Sequence, residues 1–463
     1  MKIAKPIVFH IPALFVSELD KCIKQNPPKS DYNISYFYFL MNRLTTNHYT
    51  KDKKKEFTNM NTQKLQKLSI YRIGSYMKYL KKYEFIISDN NYIPGEKSLE
   101  YKLNEKLLSG EYYFELLPET RLFKNIIHNQ RMKKTNYAKM PDYLQKMKDL
   151  FMDIDFDYEA ARDWIENNST EAEKHFRRTM LLQFQDKRFR YFGRNKTNNR
   201  IDTNLTSIKK ELRYCLKGDW ISFDLKNSQP FFLFSDILRP INHIHTDHTH
   251  HPPHTPHHKP IGITYHNPIC VAQRFLNLQQ SFGVSTLQKI SKCRKKDDFA
   301  KNTTLSFELN KFGEAVFTGK YYESIMNGNL TREEAKNTNW GVYFSKNREQ
   351  TKYLYFIPYK KEKEIFAGIY PCIYEIIELL KEKDHAKLSV YLTSVESFVF
   401  IDTIASRLVQ AGIMPLTVHD SVLVPAKHKD EAKQIIDNVF RELYGRVPAF
   451  HIESYKKLKA LLN

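Results

Sequence analysis

Two apolar runs near the C-terminus, Leu416-Thr-Val418 and Ser421-Val-Leu-Val424, are joined by His419-Asp420 and bracketed by Pro415 and Pro425. The pattern predicts a hairpin of two strands, with a proline where each strand stops. A third apolar run, Trp220-Ile-Ser-Phe-Asp-Leu225, predicts a strand that ends just before Asn227 and Ser228, both good N-cap types. Pro230 then sits in the first turn of a helix that buries Phe231, Phe234 and Leu238. Between these regions Arg332, Lys336, Trp340 and Phe344 recur at one-turn spacing, which places them on one face of a helix. Upstream, SYFYFLMNRL, NTQKLQKLSI and RIGSYMKYLKKYEFI predict three helices; in the third, Ile73, Met77 and Leu80 keep helical spacing while Arg72, Lys78, Lys81 and Lys82 occupy the remainder. A strand in FIIS, a turn at Pro94-Gly95 and an alternating strand through Leu99, Tyr101 and Leu103 follow. Residues 1–31 are weakly patterned and read as an arm, and residues 106–195 read as largely helical.

Composition narrows the class. A chain of 463 residues has room for two or three domains. No apolar run approaches the roughly 18 residues of a membrane span, and MKIAKPIVFHIPALFV lacks the features of a signal peptide. Five dispersed cysteines without metal-ligand spacing read as reduced thiols, so the expected location is cytoplasmic, with no membrane partner. Lys plus Arg total 73 against 52 Asp plus Glu, a net charge of +21. That field favours a polyanion such as nucleic acid, the bland alternative being a lysine-rich solvated surface. Arg188, Phe189, Arg190, Tyr191, Phe192 and Arg194 interleave cations with aromatics, which suits phosphate contact and base stacking, although taken alone the stretch reads first as an amphipathic core helix with a basic exposed face. NHIHTDHTHHPPHTPHH (242–258) holds eight of the 17 histidines and reads as a disordered insertion with adventitious metal binding at most.

The candidate chemistry rests on two isolated acids. Asp224 and Asp420 each lie at the end of an apolar strand, where a carboxylate needs a partner, a hydrogen bond or a metal. Brought together they would repel unless cations lay between them; Mg²⁺ takes one or two carboxylates plus substrate phosphates. Two such ions about 4 Å apart are the minimal apparatus for nucleotidyl transfer. A helix cap for Asp224 and a turn for Asp420 are the structural alternatives. On the 332–344 segment the cations would meet phosphates and the aromatics would bound a base and sugar. Arg348 and Lys352, followed by Phe356 and Tyr359, offer a second copy of that arrangement.

In this order the motifs resemble the palm and fingers of family A DNA polymerases, the bacterial DNA polymerase I class, and the related single-subunit phage RNA polymerases. SFDLKNSQP resembles the segment with the first metal-binding Asp, which would be Asp224, and Gln229 falls near a sugar-discriminating Glu. REEAKNTNWG resembles the fingers helix, FAGIYPCI the Phe-x-x-x-Tyr-Pro segment, and LTVHDSVLVP the hairpin with the second metal-binding Asp, which would be Asp420. Arg200 and Asn204, in RIDTNL, resemble residues that touch template and primer. The resemblance covers roughly residues 190–455, several motifs in family order being far more specific than one. It departs at Lys226-Asn227-Ser228 and at Ser421, where DNA polymerases usually carry Glu; Ser is closer to the RNA polymerase branch. The three-helix and two-strand region 32–105 resembles a winged helix, with Arg72, Lys78, Lys81 and Lys82 as its expected nucleic-acid contacts.

These readings imply an α+β multidomain protein: an arm (1–31), a winged-helix-like domain (32–105), a helical thumb-like region (106–195) and a palm and fingers domain (196–463) with fingers at about 300–390. The implied activity is template-directed nucleotidyl transfer, DNA polymerase favoured and without proofreading, in a phage or mobile-element setting. Asp224 and Asp420 would bind two Mg²⁺, Mn²⁺ substituting. Arg332 and Lys336 would neutralise the triphosphate, Gln229, Trp340, Phe344, Arg348 and Lys352 would line the nucleotide site, and His419 would position the primer end. Partners would be a DNA template and primer (or RNA) and nucleoside triphosphates. The alternatives are a single-subunit RNA polymerase or primase-like enzyme, a nuclease using the same acids, and a non-catalytic replication-initiation protein.

Overall fold

The computed structural model describes residues 5–50, 57–60, 65, 73–91, 99–135, 140–241, 268–295, 299–326, 330–350 and 355–456. The segment NTQKLQKLSI, save Leu65, the Pro94-Gly95 turn, Arg72, Lys352 and the His-rich stretch lie outside the described residues. The chain is a mixed helix and sheet protein, and it divides into two units. Unit 1 comprises 1–193, 202–218 and 455–463; unit 2 comprises 194–201 and 219–454.

In unit 1 the strand Ile7–Ile11 pairs antiparallel with Tyr112–Leu116. A helix, Ala13–Gln25, follows the first strand and buries Phe15, Val16, Leu19 and Ile23 at one- and two-turn spacing. Residues 7–25, weakly patterned in sequence, are thus part of a core. The signal was diluted because the strand is buried on nearly every position and shows no alternation. The helices Ile34–Thr50 and Ile73–Lys82 pack in the same core, the latter through Ile73, Tyr76, Met77 and Leu80. A three-stranded antiparallel sheet orders Thr58–Asn59, Glu100–Leu103 and Ile86–Ser88 side by side. The helices Asp142–Asp153, Tyr158–Asn168 and Glu171–Gln185 complete the unit, the last started by a reciprocal capping box between Thr170 and Glu173.

Unit 2 is built on a four-stranded antiparallel sheet: β1 (Trp220–Leu225), β2 (Leu416–Val418), β3 (Ser421–Pro425) and β4 (Phe450–Ser454), in the order β2-β3-β1-β4. The apolar residues of β1 to β3 are buried, which explains their near-continuous hydrophobic runs. After β1 the chain enters the helix Ser228–Phe232 and a wider π-helical turn, Leu233–Leu238. Phe231 there is fully buried, its ring edge-on to Phe317, Phe440 and Tyr444. Helix Lys429–Tyr444 joins this core through Ala432, Ile436, Val439 and Phe440.

The longest continuous helix in the described residues is His385–Gln410, with a π-helical stretch at Phe398–Ala405. By length and composition it could cross a membrane, contrary to the expectation that no such run exists. Leu388, Leu392, Val399, Phe400, Ile404 and Leu408 instead sit fully inside the core of unit 2, where an apolar helix needs no bilayer.

Candidate active site

The hairpin of β2 and β3 turns at His419-Asp420. His419 takes left-handed backbone (φ 55°), which lets so short a connection close, and the Ser421 hydroxyl donates to the Val418 carbonyl at 2.8 Å across the turn. Ser421 therefore fastens the hairpin that carries Asp420. β3 lies beside β1 with Ser421 opposite Asp224, and the Leu225 amide donates to the Asp420 carbonyl at 3.2 Å. The two acids, 196 positions apart in sequence, are neighbours across adjacent strands. Asp224 and Asp420 are half-buried and His419 is exposed. Burial first, then the charges of Glu396 and Asp224, push the Asp420 carboxyl well above the usual carboxylate range, and Arg200 opposes them.

Glu396 is the residue that sequence reasoning missed. It lies in the 385–410 helix, one position before Ser397 and the π-helical stretch, and is 1 % exposed. Its Oε1 accepts from Arg200 Nε at 2.9 Å and from Nη2 at 2.5 Å. Its Oε2 accepts from Ser228 Oγ at 2.6 Å and Gln229 Nε2 at 2.7 Å. Both oxygens are engaged by donors from two other segments, which is how a carboxylate survives burial. A sequence signal existed: Glu396 is a lone acid in the apolar stretch YLTSVESFVF. Asn227 takes the left-handed N-cap position (φ 59°) but makes no capping bond with its side chain, and the Ser228 hydroxyl goes to Glu396, so neither caps the helix as expected. Six residues along the long helix, Asp402 makes a fork with Arg194, both bonds 2.6 Å. The segment 194–201 is thus held to that helix by two arginine–carboxylate pairs.

The helix Arg332–Phe344 opens with a capping box between Thr331 and Glu334. Ala335, Thr338, Asn339, Val342 and Tyr343 face inward, leaving Arg332, Lys336 and Trp340 exposed and Phe344 half-buried. Trp340 is 57 % exposed, with its ring centroid 4.6 Å from that of Phe344. Gly341 allows the close approach of Tyr359, whose Cβ would stand 2.7 Å from a Cβ at 341. Arg332 pairs with Glu323 at 2.8 Å and lies over the Tyr322 ring. Burial and the charge of Asp420 raise the Tyr322 hydroxyl to about 12, with Arg332 opposing. Tyr322, neutral with its hydroxyl so raised, thus lies near both Arg332 and Asp420. Arg348 is not on this face: it lines a separate open cavity with Lys381 and Lys383 at the far end of the helix.

Several expected nucleic-acid contacts turn inward. Asn204 is fully buried; it accepts from the Tyr191 amide at 2.9 Å and donates to the Phe189 carbonyl. Arg190 is buried and donates to the carbonyls of Phe184, Met152 and Ile154. Arg188 is taken up by Asp186 and the Lys5 and Pro6 carbonyls. The arginines of this stretch satisfy backbone carbonyls and carboxylates; the stretch lies in the turn and strand after the helix Glu171–Gln185, so it is not the exposed basic face of a core helix either. Lys78, Lys81 and Lys82 are exposed on unit 1, Lys81 donating to Asn90 at 2.6 Å and Lys82 lying over Tyr83.

Among the described residues no three His, Cys, Asp or Glu side chains gather closely enough to hold a metal ion by themselves. The Asp224 and Asp420 pair nevertheless fits a divalent cation by its donor chemistry: two hard oxygen ligands whose mutual repulsion a cation would relieve. No family model matches the chain. No curated protein matches it either. Among solved structures it is similar, with a TM-score of 0.28 and 11% identity, to the POL domain of Pol1 from M. smegmatis in complex with DNA primer-template and dNTP. That similarity covers 74% of this chain and 65% of that one.

Proposed function

We propose that unit 2 is a template-directed nucleotidyltransferase with a palm and fingers arrangement, most simply a DNA polymerase without proofreading. The observation that carries the reading is the pair Asp224 and Asp420: Asp224 stands opposite Ser421 across antiparallel strands, Asp420 lies next to Ser421 in the turn, and the like charge of Asp224 raises the Asp420 carboxyl. Asp224 and Asp420 would hold two Mg²⁺; when bound, such ions activate an attacking hydroxyl and neutralise charge on a departing pyrophosphate. The chain's own part is positioning and electrostatics. Arg332 and Lys336, exposed on one helix face, meet the triphosphate, and Trp340 with Phe344 forms an aromatic wall for the base. Arg332 lies over the ring of Tyr322, which is itself near Asp420, and this favours it over Arg348 for that role. Exposed His419 at the turn faces the growing strand end without serving as a base. Exposed Lys78, Lys81 and Lys82 give the 32–105 region a basic surface suited to duplex docking. The location is taken as cytoplasmic.

Extension of a labelled primer on a DNA template by purified protein tests this. Mg²⁺-dependent incorporation is expected, lost in Asp224→Asn and in Asp420→Asn with the fold intact by circular dichroism. Wild-type incorporation in both variants would remove the assignment. Duplex binding insensitive to EDTA with no incorporation would favour a non-catalytic DNA-binding protein.

A further inference from the structure

We propose that unit 1 captures the C-terminal end of an extended peptide from a partner protein, which adds antiparallel to the open edge of the strand Ile7–Ile11. That strand pairs on one side with Tyr112–Leu116, and among the described residues no strand lies on its other side. A cavity of about 650 Å³ runs there, lined by residues 5–10 without a gap and walled by the helix Glu171–Gln185 and the turn 186–189. Its volume falls within the roughly 300–1,000 Å³ of ligand sites. Side chains of a strand alternate between its faces, so six consecutive lining residues mean that the cavity follows the strand's edge. The pleat says what that edge offers. In antiparallel pairing alternate residues exchange both main-chain bonds with the neighbour, and the rest point theirs away. The Ala13 amide donates to the Gly110 carbonyl in the same register, which assigns Ile7, Phe9 and Ile11 to the pairing and turns Val8 and His10 outward.

Side chains close both ends of this edge and leave its middle open. Asn42, itself buried, donates to the His10 carbonyl at 3.1 Å, and Arg188 donates to the carbonyls of Lys5 (2.6 Å) and Pro6 (2.8 Å). Val8 between them keeps an outward N–H and C=O, and it alone of the strand's five residues is not fully buried. One peptide residue opposite Val8 would exchange both bonds with it, as in an antiparallel pair. An antiparallel peptide runs from the His10 end to the Lys5 end, and charge gathers at the latter: Lys5, Lys187 and Arg188 against Asp186. Three cations against one acid suit a terminal carboxylate there, whereas neutral His10 and Asn42 leave the opposite end uncharged. The pairing of Lys187 with Asp153 is exposed on both sides and yields at little cost.

The probes are short fluorescein-labelled peptides with a free C-terminus, their residues varied among Val, Ile, Thr, Tyr and Gln, selected on the full-length protein and followed by fluorescence anisotropy. At least one is expected to bind, and its C-terminal amide should bind about tenfold more weakly, the loss of one charge-assisted contact. Lys5→Glu combined with Lys187→Glu should close the gap between acid and amide. Val8→Pro removes the outward N–H at a position where an edge strand accepts proline, so the circular dichroism spectrum stays that of wild type while binding falls about tenfold. A Val8→Pro protein that no longer folds would show that this N–H belongs to the pairing with 112–116, and would overturn the proposal. So would a selection that enriches nothing, or an acid and amide bound equally. Octanoate competing as well as the peptide would make the cavity a site for small carboxylates and overturn it too. Dimerisation of the protein alone, abolished by Val8→Pro, would name a second copy as the occupant, with the same consequence.

Discussion

His10 and His175 form a buried pair in unit 1, with Nδ1 atoms 3.4 Å apart and rings stacked at 4.8 Å. Burial, then His175, then Arg178 lower the His10 imidazole from 6.5 to about 3, so it is neutral in the folded protein. The sign follows directly. The unfolded chain takes up a proton at His10 below its ordinary value and the folded chain does not, so stability is full above about 6.5 and falls as the pH drops toward about 3. With those two values, unit 1 should lose about 2 kcal/mol on going from neutral pH to about pH 5, a roughly thirtyfold rise in the open population. His175 is lowered by its own burial and adds to the same slope. Hydrogen exchange of the most protected amides in Ile7–Ile11 and Tyr112–Leu116, corrected for intrinsic rates, measures the slope. In His10→Gln that slope should fall by the His10 share, whatever the variant's absolute stability. An unchanged slope would refute the assignment of a neutral, buried His10.

Two further outcomes follow from single contacts. Glu308, buried in unit 2, accepts from the amides of Cys372 (3.0 and 3.2 Å) and Ile373 (3.1 Å) and so caps the helix Pro371–Lys381 from outside it. Glu308→Ala should cost about 1–3 kcal/mol, read as a lower urea midpoint at constant m, and Glu308→Gln should recover part of it. Arg190→Met should destabilise unit 1 by leaving the carbonyls of Phe184, Met152 and Ile154 without their donor, yet leave the salt dependence of DNA binding unaltered. A salt slope reduced by about one would instead return Arg190 to the nucleic-acid surface.

Local chemistry made much of this protein legible in its sequence. The runs 220–225 and 416–425 are strands because their apolar residues are continuous and prolines and turn formers end them. The face Arg332, Lys336, Trp340 is displayed outward because Ala335, Thr338, Asn339 and Val342 fill the opposite one. Tertiary structure decided the rest, because burial and pairing depend on groups far apart in the chain. Glu396 meets Arg200, Ser228 and Gln229 across 196, 168 and 167 positions, and no local window contains that network. The arginines of the 188–194 stretch show the converse: sequence displays their charge, but only the fold determines that they turn inward to carbonyls and carboxylates. The pairing of Asp224 with Asp420 belongs to both levels. Each acid stands out in its own apolar run, and the register between β1 and β3 places them side by side.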